Sequence, residues 1–127
     1  MRSLFVIAIS ASLCACATSP VGDREAQMVP ADRVVSAKYS QATAGGGSVI
    51  IKRDSGASGG ACTSRIFVNG EPVADIYPSE RVDVFLSAGE HMLGAWPNGI
   101  CGGGMSEVKA TVRPGETSRY RVGYGSN

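Results

Sequence analysis

The sequence predicts an all-β fold, a small antiparallel β-sandwich of about seven strands with a short N-terminal helix and a flexible tether in front of it. Three observations carry that prediction. Beyond residue 47 the apolar residues recur with a period of two, turn-forming dipeptides return about every ten residues, and the connections are short. The 17 glycines of 127 residues fall between these periodic stretches as punctuation.

Each element has its own signal. Over residues 30–41, Pro30 and Asp32 suit a helical first turn and Val35 and Tyr39 stand four apart, which predicts a short helix. Gly45-Gly46-Gly47 ends it. Residues 48–53 form the first strand, and its continuous Val49-Ile50-Ile51 predicts burial on both faces. Residues 65–69 and 73–77 flank Asn69-Gly70, the dipeptide that most readily supplies two positive φ angles, so they form a hairpin. Residues 81–86 turn Val82, Val84 and Leu86 inward, and Ala88-Gly89-Glu90 leads into a strand over 91–96. Residues 107–113 place Val108, Ala110 and Val112 on one face; after Pro114-Gly115, Tyr120, Val122 and Tyr124 oppose Arg119 and Arg121.

The N-terminus reads as an export signal. Residues 1–15 join a basic start at Arg2 to an apolar run over 4–13, too short for a membrane span, which needs about 20 residues. Leu13-Cys14-Ala15-Cys16 resembles a bacterial lipobox. That resemblance implies cleavage before Cys16, acylation of Cys16 with chains such as palmitate, and attachment to the lipid bilayer. Ala17 in place of Asp implies the outer membrane, with the domain facing the periplasm. The plainer reading is an ordinary signal peptide in which Cys14 and Cys16 are incidental. The expected organisation is a signal peptide over 1–15, a lipidated tether over 16–29, a helix and glycine linker over 30–47, and the sandwich domain over 48–127. A coil of that tether's length would hold the domain roughly 20 Å off the membrane.

Charge narrows the partners. The chain carries 12 Lys and Arg against 11 Asp and Glu, and the leader takes only Arg2, so the mature protein is neutral and shows no basic cluster for nucleic acid. Cys62 and Cys101 remain beyond the anchor, and an exported domain oxidises its thiols, so a disulfide is expected. The alternative joins them to His91, the single histidine, as zinc ligands, but close C-x-x-C or H-x-x-x-H spacing is lacking. No metal and no cofactor is expected.

Arg53-Asp54-Ser55-Gly56, Cys62, Asn69-Gly70, Gly89-Glu90-His91 and Ile100-Cys101-Gly102 together resemble a family of uncharacterised proteobacterial envelope lipoproteins. The stretch 66–93 is similar to a PEGA-type β-domain. Both resemblances imply a membrane-attached β-sandwich, and neither implies an activity. Asp-Ser-Gly also surrounds the nucleophile of chymotrypsin-like proteases, but such an enzyme is about twice this length, so Asp54 and Ser55 are expected to shape a loop and Arg53 to pair with Asp54 or a nearby carboxylate. His91 is expected half exposed at a strand start, bonded to a backbone carbonyl. Trp96 is expected to plug the core beside the disulfide. The loop Gly99, Ile100, Gly102, Gly103 and Gly104 is the candidate contact surface.

The function expected is that of a membrane-anchored envelope lipoprotein, non-enzymatic, binding an envelope protein or glycan through the disulfide-framed loops. The alternative is a periplasmic inhibitor of a cell-wall hydrolase such as lysozyme. A hydrolase using Ser55 and His91 is the third reading.

Overall fold

A computed structural model describes residues 18–124. The expected signal peptide over 1–15 and the expected acylation site Cys16 lie outside the described residues. Among the described residues there are eight strands: β1 (Gln27–Met28), β2 (Gly47–Arg53), β3 (Ser64–Val68), β4 (Glu71–Ile76), β5 (Glu80–Leu86), β6 (Gly89–Pro97), β7 (Ser106–Val112) and β8 (Thr117–Val122). They form two four-stranded sheets, β1-β5-β2-β8 and β4-β3-β6-β7, packed face to face as a sandwich.

Alternation builds the core. Val49 and Ile51 of β2 and Val82, Val84 and Leu86 of β5 face Ile66, Val68, Val73, Ile76, Leu93, Ala110 and Val112 of the other sheet. Each fully buried aliphatic side chain of this kind contributes about 1.5–3 kcal/mol. The β3–β4 hairpin turns on Asn69 (φ 51) and Gly70 (φ 78), two left-handed residues that match the twist of the flanking strands.

The β2 register departs from expectation, because only Val49, Ile51 and Arg53 are buried while Ile50 is partly exposed. The strand is central yet covered on one face. Its two neighbours differ in direction: β5 runs antiparallel, but β8 runs parallel to β2, from Ser48↔Thr117 to Arg53↔Val122. Short connections therefore did not make every pair antiparallel, since β8 returns across the sandwich and joins a strand far behind it in sequence. β1 is also parallel to β5.

Glycine enters the strands as well as the turns. Gly47 opens β2, and a Cβ there would lie 2.6 Å from the Arg113 carbonyl oxygen; at Gly46 it would lie 2.3 Å from that of Leu86. The backbones approach too closely for any side chain.

The expected helix over 30–41 is replaced by one 3-10 turn, Ala31–Arg33. The backbone beyond it is claimed by β4: Val34 bridges Ala74, and the Val35 and Ser36 amides both donate to the Val73 carbonyl. Edge pairing satisfies these donors without a helix, and so few residues make a marginal helix on their own.

The tether is also corrected. Val21, Ala26 and Val29 are buried, β1 pairs with β5, and Ser19 bridges Ser55. Asp23 fastens the segment further, accepting from Lys52 Nζ at 2.5 Å and from Arg119 Nε at 2.6 Å, while its carbonyl takes Arg81 Nη1 at 2.8 Å. The hydrogen bonds from Lys52 and then Arg119 hold the Asp23 carboxyl at about 2. From Thr18 onward this segment belongs to the domain.

Candidate functional site

One pole of the sandwich gathers most of the residues singled out above. Strand β2 ends there in Arg53, β8 runs on to Tyr124, β3 starts at Ser64 and β6 finishes at Pro97. The loops over 54–63 and 98–105 connect them.

Arg53 follows the inward alternation of β2 and is 1% exposed. It does not pair with Asp54. Nη1 donates to the carbonyls of Cys62 and Ile76 and Nη2 to that of Gly59, and the guanidinium lies 4.7 Å from the Tyr124 ring centroid. Burial pulls its pKa below the usual guanidinium value, which the Tyr124 ring partly offsets. The planar fork thus ties the 54–63 loop to β4 through backbone acceptors.

Asp54, 2% exposed, is claimed from the other side. Arg121 grips it with Nε on Oδ1 at 3.1 Å and Nη2 on Oδ2 at 2.5 Å, and Thr18 Oγ1 donates to Oδ2 at 2.8 Å. A Cβ at Gly123 would stand 2.7 Å from Oδ2, so glycine is required for that carboxylate to fit. Thr18 and Tyr124 exchange backbone and hydroxyl hydrogen bonds at 3.1–3.3 Å, and Tyr124 Oη meets Ser64 Oγ at 2.9 Å. Ser55 is occupied by its two-way backbone bridge to Ser19, and its hydroxyl donates to the Ser19 carbonyl at 3.3 Å. Gly56 (φ 127) lets the loop pass Thr18 closely. The Arg-Asp-Ser-Gly motif is therefore a clasp on the N-terminal segment.

Cys62 and Cys101 form a disulfide with Cα atoms 6.1 Å apart. Asn98 strengthens the same junction, with Nδ2 on Thr63 Oγ1 at 2.8 Å and on Asp75 Oδ1 at 2.9 Å. Arg65, and after it Asn98, hold Asp75 below the usual carboxylate range.

His91 lies elsewhere. Its Nε2 donates to the Ser87 carbonyl at 2.8 Å and its Nδ1 accepts from Asn69 Nδ2 at 2.9 Å, which fixes the tautomer and staples β6 to the hairpin turn. Asn69 follows the far end of β3, whereas Ser64 and Tyr124 mark its near end, so the strand's length, roughly 15 Å, separates His91 from Ser55. They cannot act on one substrate atom. The same separation dissolves the zinc alternative, because the two cysteines are joined to each other and no group of three metal-type side chains gathers among the described residues.

Trp96 is not a core plug. It is 43% exposed and lines a cleft of about 530 Å³ that opens between the β6–β7 side of one sheet and β8 of the other. Ile51, Leu93, Tyr120, Val122 and Tyr124 form its walls and Gly102–Gly104 its lip. Val108, expected inward, is 47% exposed at this margin. Among the described residues β7 and β8 are both sheet edges, so the cleft is bordered by two strands whose outer backbone groups have no ladder partner there. Sequence reasoning found the loop but missed the cleft, and missed Thr18, Arg121 and Tyr124; only the alternation of 119–124 hinted that Tyr124 faced inward. No family model, curated protein or solved structure matches the chain.

Proposed function

We propose that this protein is a lipid-anchored envelope lipoprotein whose sandwich is a non-enzymatic interaction module. On this reading Cys16 carries the acyl chains, and an envelope protein or glycan seats in the cleft framed by Trp96, Tyr120 and Tyr124. The cleft is the observation that carries it. A volume of about 530 Å³ falls within the range of ligand sites. Aromatic rings with edge-strand donors and acceptors suit a sugar face or an extended peptide added to β7 or β8. Arg53, Asp54, Ser55 and His91 are each engaged in holding the fold, which supports an interaction role over hydrolysis.

A photocrosslinker at Val108 on the cleft margin, compared with one at Glu90 beside the hairpin turn, tests this in intact envelopes. The expected result is one discrete adduct from Val108 and none from Glu90. Equal or absent labelling at the two positions refutes the cleft as the binding surface. Inhibition of lysozyme by the purified protein would replace the general interaction role with that of a hydrolase inhibitor.

A further inference from the structure

We propose that the pole bearing Thr18 and the disulfide loops lies directly on the bilayer, with Ile100 inserted among the lipids as a second membrane contact. This rests on the lipoprotein reading and adds an orientation and a lipid-binding surface to it.

The distance between anchor and domain is the first argument. Thr18 is clasped by Asp54 and Tyr124, and only Ala17 separates it from Cys16. Two residues reach at most about 7 Å. An acylated Cys16 therefore holds the clasped pole at headgroup level, where the expected tether would have let the domain float.

The surface presented there is the second argument. A chain of contacts joins Thr18 to the disulfide turn: Thr18 bonds Tyr124, a Cβ at Gly59 would lie 3.0 Å from the Tyr124 ring, and Cys101 Sγ lies 3.9 Å from the Gly59 carbonyl. Ile100, next to Cys101, is 97% exposed, with Trp96 and Met105 (41%) flanking the same loop. Residues 55–63 and 96–106 contain no Asp, Glu, Lys or Arg, in a chain that is 18% charged. A fully exposed isoleucine at the tip of a charge-free, glycine-rich loop is unfavourable in water, and it fits the interface region of a membrane whose position the anchor already dictates. A protein partner at the tip is the competing outcome.

Trp96 is the chain's single tryptophan and sits at this pole, so the native protein reports on itself. The mature protein is reconstituted in phosphatidylethanolamine–phosphatidylglycerol vesicles with acyl chains brominated near the headgroup, and Cys16 acylation is checked by mass spectrometry. The expected result is a blue-shifted Trp96 quenched by the bromines and shielded from aqueous iodide. Ile100→Asp and Met105→Asp, each retaining the acylated Cys16, should lose most of that quenching. If acylated protein leaves Trp96 unquenched and open to iodide, or if shielding appears only in whole envelopes, the orientation is overturned while the anchor stands. If Cys16 carries no acyl chain, the lipoprotein reading fails separately. Unmodified protein titrated with the same vesicles then decides: wild type binding about tenfold more tightly than Ile100→Asp supports the surface, and equal or no binding overturns it.

Discussion

Arg53 offers the sharpest test of how this fold is held. Replacing it with Met keeps the length of the aliphatic stem but removes every donor. The carbonyls of Cys62 and Ile76 then lose a buried partner, and Gly59 a partly buried one. Each orphaned buried acceptor costs about 1–3 kcal/mol, so the two buried carbonyls alone predict about 2–6 kcal/mol. Two effects act against this: burial already disfavours the Arg53 charge, and Met refills the apolar part of the site. An expected net loss of about 3 kcal/mol is a large share of the 5–15 kcal/mol that stabilises a typical domain. Arg53→Lys, which keeps the charge but supplies no planar fork, should lose about half as much. Urea unfolding followed by Trp96 fluorescence measures both, and unchanged slopes would show that only stability moved. If Arg53→Met stays within about 1 kcal/mol of wild type, the guanidinium does not organise the loop and the reasoning fails.

Other outcomes follow from the same contacts. Reducing the Cys62–Cys101 bond, which closes a separation of 39 residues, should cost about 4 kcal/mol on the chain-entropy model, read as the shift in urea midpoint with and without reductant. Asp23, held at about 2 by Lys52 and Arg119, fastens the N-terminal segment fully above its unfolded value of 3.8. That fastening is lost as pH falls from about 4 through about 2. The protection of the Gln27 and Val29 amides against hydrogen exchange, relative to their intrinsic rates, should fall across that window in wild type, and should already be low at neutral pH in Asp23→Ala. Asp83 behaves oppositely, since burial raises its carboxyl and its Oδ1, 3.4 Å from Arg81 Nε, lacks a hydrogen-bond partner among the described residues. Its ionised form therefore opposes folding at neutral pH. Asp83→Asn should add about 0.5–1 kcal/mol at pH 7, the order of one poorly made hydrogen bond, and the gain should fade once acid protonates wild-type Asp83; a loss at pH 7 would contradict this.

What the sequence discloses on its own is mostly local. Asn69-Gly70 fixed its hairpin because two positive φ angles have few other sources, and Val82, Val84 and Leu86 declared a strand with one wet face. The disulfide followed from counting cysteines in a chain whose start reads as an export signal. Long-range pairing was not legible. Nothing near Asp54 announces Arg121, 67 residues away, and nothing in 30–41 tells that β4 will capture Val34 and Val35. Trp96 misled because an aromatic beside a disulfide usually completes a core, whereas here the β7–β8 side of the sandwich stays open. The segment over 18–29 looked like a linker because polar, aperiodic sequence is typical of linkers, yet Asp23 alone recruits two cations across the sheet.

The clasp between Thr18 and Tyr124 spans 106 positions, and β8 lies against β2 across 69. A ribosome releases such a chain start first, so the second wall of the cleft and the Arg119 and Tyr124 ends of the N-terminal fastening form only after β8 has emerged. Premature termination anywhere before residue 117 would leave β2 with a bare flank and Thr18 without Tyr124, the N-terminal segment being held only through β5, Ser55, Lys52 and Arg81. The emergence of β8 and the full fastening of the N-terminal segment are thus coupled.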